Sequence, residues 1–210
     1  QSPAGRAVGG MLLAGGYGAG KSHALESLAH RALDAGFVVS KVVISKETAL
    51  HDATSVFQSA IEVARVPGRT GPAIESIAAS LKSDSAGMAS VRRWVNDSKD
   101  PIMARFAASL YLFEQARGDA EFVDRILRFW AGDALPVPEL RRRLKEAGAA
   151  GNYALGVGKE SGSGWQRFAF LSRLIRAAGY QGWVVMLDEV ELIGRYSLLR
   201  RGRSYAELAR

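Results

Sequence analysis

Two short stretches of this sequence carry residue types that can act together on a polyphosphate. Gly15-Gly16-Tyr17-Gly18-Ala19-Gly20-Lys21-Ser22 fills every fixed position of G-x-x-x-x-G-K-[ST], the Walker A pattern. Glycines let the backbone turn inward, so that its N–H groups line a concave anion nest. A helix opening near Lys21 aims the positive end of its dipole at the same phosphates. Lys21 is placed to reach the β- and γ-phosphates, and the Ser22 hydroxyl to bind Mg²⁺. A chance match is expected in on the order of 1% of chains this long.

The second stretch, Trp183-Val184-Val185-Met186-Leu187-Asp188-Glu189, is an apolar run that ends in two carboxylates, a Walker B reading. It puts Asp188 at the carboxyl end of a buried strand, where open α/β sheets bind ligands. Asp188 is expected to hold Mg²⁺ through water. Glu189 is expected to orient and deprotonate the attacking water, because hydrolysis needs a base opposite the leaving phosphate. A strand ending in acids is common by itself; the phosphate loop gives it meaning.

Other chemistry finds little support. His23 and His30 lie seven apart on one predicted helix and His51 lies beyond the second strand, with no metal-ligand spacing among them. No G-x-S-x-G nucleophile elbow occurs, and the chain has no cysteine. Glu47, just past the second strand, reads as a loop carboxylate ahead of a γ-phosphate sensor. Arg195, Arg200 and Arg201 each read first as surface or ion-pair residues, and only second as a finger toward a neighbouring subunit.

These groups need elements to position them. Gly10-Met11-Leu12-Leu13-Ala14 reads as a buried strand leading into the loop. Leu25, Leu28, Ala29, Ala32 and Leu33 follow at helical spacing, with Gly36 as the stop. Phe37-Val38-Val39 and Val42-Val43-Ile44 read as a second strand interrupted by Ser40 and Lys41. Strand, loop, helix, strand is a βαβ unit and implies a parallel sheet. From Lys46 to Gly182 the pattern is helical: 55–64, 73–81, 89–95, a helix after Pro101, one capped by Asp119, and one starting at Pro138. Gly156–Gly164 reads as a flexible connector, since Glu160 stands where a phosphate loop needs Ser or Thr. Phe168, Leu171, Ile175 and Ala178 mark a helix stopped by Gly179, and Trp183–Leu187 the third strand.

The predicted fold class is therefore α/β: a P-loop NTPase parallel sheet flanked by helices, with a large helical insertion between the second strand and the Asp-Glu strand. The core is expected over 1–50 and 162–210, the insertion over 51–155 and the connector over 156–164. Ser204 and Glu207 look like a capping box opening a further helix, and the sheet so far is small, so the sequence reads as truncated at the C-terminus.

A net charge of +7 favours polyanionic partners. Its dense clusters, Arg141-Arg142-Arg143 with Lys145 and Arg195, Arg200, Arg201, Arg203 and Arg210, are candidate DNA-phosphate contacts or ordinary solvated faces. With no bilayer-length apolar run, no leader and no cysteine, a cytoplasmic protein without membrane contact is expected.

A carboxylate beside the metal ligand, with helices between two strands, resembles the ASCE branch of P-loop ATPases, which includes the AAA+ and STAND groups. Gly15 to His23, Asp188-Glu189-Val190-Glu191-Leu192-Ile193-Gly194-Arg195, Tyr196 to Arg200 and Tyr205-Ala206-Glu207-Leu208 more closely resemble the ATP-binding proteins of bacterial BREX-type phage-defence systems. The resemblance spans about residues 10–50 and 165–210. It implies ATP over GTP, His23 beside the phosphates, an AAA+-like hydrolase, and partners that are other defence proteins or copies of the chain in a DNA-directed assembly. The ASCE likeness implies an extra strand between the loop strand and the Asp-Glu strand; the later strand with its polar sensor and the arginine finger that such ATPases often use in trans are not identifiable in the sequence. Three functions remain open: a magnesium-dependent ATPase, a nucleotide-gated binding module with little turnover, and a small-molecule kinase. The Asp188-Glu189 pair and the lack of a basic lid count against the last.

Overall fold

A computed structural model describes residues 10–16, 18–98, 100–116, 118–156 and 163–208. Tyr17 and Arg210 lie outside the described residues, as does most of the predicted connector.

The helix after the loop, α1 (Lys21–Asp34), leads into β1 (Val38–Val43) through Gly36, whose φ of +85° suits the turn. The helical middle follows as α2 (Ala53–Glu62), α3 (Ala73–Ala79), α4 (Ala86–Asn96), α5 (Pro101–Gln115), α6 (Ala120–Ala131) and α7 (Val137–Glu146). The carboxylates of Asp52, Asp100 and Asp119 and the hydroxyl of Ser85 accept first-turn amides and fix the starts of α2, α5, α6 and α4. Then come α8 (Gly164–Ala177), β2 (Trp183–Asp188), a 3-10 turn (Val190–Arg195) and α9 (Leu198–Leu208).

β1 and β2 pair in parallel, Val38 opposite Trp183 through Val43 opposite Asp188. Alternation gives each face its own cover. Val39 and Met186 bury with Ala29 of α1, while Val42 packs with Val56 and Ala60 of α2 and with Ile193. Ser40 does not interrupt the strand. Its buried hydroxyl donates to the Ala60 carbonyl at 2.6 Å and accepts the Trp183 indole N–H at 2.8 Å, so β1 runs unbroken. The largest core lies in the helical middle, where Phe106 stacks on Phe170 at 4.2 Å and α8 packs against α2, α4 and α5. Arg167 of α8 is fully buried there and donates to the Phe129 carbonyl of α6.

Three further expectations need correction. Residues 10–14 form no strand; Met11 and Leu12 are 83% and 84% exposed. A strand needs a hydrogen-bonded neighbour. One side of β1 holds β2, the other bonds Arg65 through Val39, and among the described residues no strand flanks the far side of β2. The sheet is accordingly two-stranded, smaller than the P-loop fold expected. Second, Ser204 caps nothing: it is buried within α9, and its hydroxyl donates to the Arg200 carbonyl one turn back. Third, Ser163 and Gly164, assigned to the connector, are buried, and Gly164 opens α8 tightly against Ala53.

Candidate functional site

Parallel pairing brings the carboxyl ends of β1 and β2 to one edge, and the start of α1 meets them there. Gly18 and Gly20 hold φ near +77° and +78°, the left-handed turn that the loop's glycines were expected to supply. Gly20 caps α1 with no side chain, and no acid lies in the first turn. The leading amides of α1 are therefore not covered by a carboxylate, unlike those of α2, α5 and α6. Lys21 lies back across the loop, donating to the carbonyls of Gly15 at 3.0 Å and Gly16 at 3.2 Å, with Glu191 3.8 Å away.

Asp188 is 9% exposed at the end of β2. Its Oδ1 accepts the Glu189 amide at 3.0 Å, and its Oδ2 lies 3.4 Å from Lys41 Nζ. Burial pushes its pKa up, but the Glu189 amide, the nearby Ser22 hydroxyl and Lys41 outweigh burial and hold it below the ordinary carboxylate value. Ser22 and Asp188, far apart in sequence, thus meet as a pair of hard oxygen donors. Such a pair suits Mg²⁺, which takes one or two protein oxygens and completes its shell with water and phosphate. Among the described residues no three His, Cys, Asp or Glu gather into a metal cluster, and this kind of site needs none.

Glu189 follows with an exposed side chain and a left-handed backbone, φ 59° and ψ 29°. Ala19 and His23 are exposed beside the loop. Glu47 accepts the Ser45 hydroxyl at 2.9 Å within its own turn, a bond that lowers its pKa. His30 bonds the Glu26 carbonyl and His51 meets Tyr196 edge-on, so the histidines do not converge.

Lys41 and Glu191 are the site-edge residues that spacing did not reveal. Lys41 sits within β1, and only the register, which sets it opposite Met186, shows that it shares a face with Asp188.

The basic clusters fare differently. On α7, Arg143 pairs with Asp119 at 2.9 Å and lies over the Phe122 ring, Arg142 approaches Glu146, and Arg141 donates to the Leu155 carbonyl. That cluster is largely engaged within the fold. Arg195, Arg200, Arg201 and Arg203 form no ion pair among the described residues. No described helix is long and apolar enough to cross a membrane.

The family model described as BREX system ATP-binding protein BrxC/D matches residues 6–134, more than half of the chain. The matched span contains the phosphate loop, β1 and α2 to α6, and ends before Asp188. Neither the curated proteins nor the solved structures contain a match.

Proposed function

This chain belongs to the BREX system ATP-binding protein BrxC/D family, and we propose that it binds ATP at the Gly15–Ser22 loop with Mg²⁺ and hydrolyses it. The observation that carries the reading is the meeting of Ser22 with Asp188 at the sheet edge where an uncapped helix begins.

In this reading the amides of the loop, from Gly15, Gly16 and Tyr17 through Gly18, Ala19 and Gly20 to Lys21, Ser22 and His23, grip the β- and γ-phosphates. Lys21 leaves the Gly15 and Gly16 carbonyls for the phosphate oxygens. Ser22 and Asp188 would hold the metal, whose charge would offset that on the phosphate oxygens. Glu189 orients the attacking water and takes its proton, while ADP leaves with the bridging oxygen. The ATPase core comprises 1–50 and 162–210, and 51–155 is a helical subdomain that serves contacts with partners of a phage-defence assembly. Any contact with DNA phosphate falls to the arginines of α9 and the 3-10 turn, and should weaken as salt rises.

Purified protein is expected to bind ATP in calorimetry and release phosphate. Glu189→Gln should keep binding and lose release. Binding without release in the native protein, with partners present, would favour a nucleotide-gated module. Transfer to an added acceptor would indicate a kinase.

A further inference from the structure

The carboxylate assigned to the metal already faces a cation. Lys41 projects on the α1 side of the sheet, and its ammonium lies 3.4 Å from Asp188 Oδ2 while Oδ1 is held by the Glu189 amide. The Lys41 side chain keeps 29% of its surface in solvent against 11% for Asp188. The lysine can therefore withdraw toward water, whereas the carboxylate is fixed. The loop shows the same pattern with opposite sign: Lys21, the group meant for phosphate, has Glu191 3.8 Å away. Both charges that a metal–nucleotide complex would engage have internal counter-charges.

We propose that Lys41 is a positioning residue that stands in for the divalent cation at Asp188 and competes with it, so that loading the metal displaces the ammonium. This rests on the metal-binding role given to Asp188 above. An ammonium and a divalent ion repel one another at a single carboxylate, so one must give way, and the lysine is the mobile one. Until it is displaced, Lys41 holds the Asp188 carboxylate in line.

The test is Mn²⁺ binding in the presence of ADP, read from the loss of the free-ion EPR signal and so independent of turnover. Lys41→Met is expected to tighten Mn²⁺ by roughly 1.5- to fivefold, the scale of a partly exposed charge pair acting on an ion. A lysine that only stabilised the fold would, when removed, loosen the metal instead. Lys41→Arg keeps the charge and should stay near the native value. In an Asp188→Asn background, Lys41→Met should change nothing. Unchanged or weaker Mn²⁺ binding by Lys41→Met, with native protein that binds metal and ADP normally, overturns this inference alone. Failure of the native protein to bind ADP or Mn²⁺ overturns it together with the proposed function.

Discussion

Glu189 is the one non-glycine with positive φ among the described residues, and it is also the residue assigned to activate water. That coincidence can be measured as stability. A left-handed backbone costs an L-residue about 1–2 kcal/mol, a cost that glycine escapes. Glycine in turn loses more freedom on folding, about 0.4–1 kcal/mol relative to alanine. Comparing Glu189→Gly with Glu189→Ala removes the carboxylate from both and leaves only the backbone, with roughly 0.5–1 kcal/mol in favour of glycine. In a domain of this size 1 kcal/mol moves the melting temperature by about 2–4 °C, so glycine should melt ~1–4 °C above alanine. Circular dichroism melts without nucleotide give the comparison, and both variants should release no phosphate from ATP. If the alanine variant melts as high as the glycine variant or higher, the strained placement of Glu189 is wrong, because nothing else separates the two.

Other perturbations follow the same logic. A Cβ on Gly164 would run into the Ala53 carbonyl carbon, where α8 opens against α2, so Gly164→Ala should cost about 1–3 kcal/mol in urea unfolding. Ser109→Ala removes the buried hydroxyl that accepts the Trp130 indole N–H at 2.9 Å, and the stranded donor should cost about 1–3 kcal/mol by the same measurement. The folded-state pKa of Asp188 is depressed, so its stabilising contribution is complete above the unfolded value, about 3.9, and disappears as pH falls through the folded one. The difference in thermal stability between native protein and Asp188→Asn should therefore stay constant from about pH 6 to 8 and change only below about 4.

Local chemistry was written in the sequence wherever a residue acts within a few positions of itself. The glycines at 18 and 20 announce a turn that only they adopt without strain, and the aspartates at 52, 100 and 119 cap helices through amides two or three residues on. The helical periodicity of the middle likewise follows from one buried stripe per helix. Tertiary structure alone decided what depends on register and neighbours. A one-residue slip of β1 against β2 would turn Lys41 away from Asp188, and no spacing rule encodes that choice. Residues 10–14 have the apolar content of a strand but no partner for their backbone among the described residues, so composition could not make them one. Ser204 shows the converse: a capping pattern is overridden when the helix has already begun at Leu198, because a hydroxyl inside a helix bonds the turn behind it.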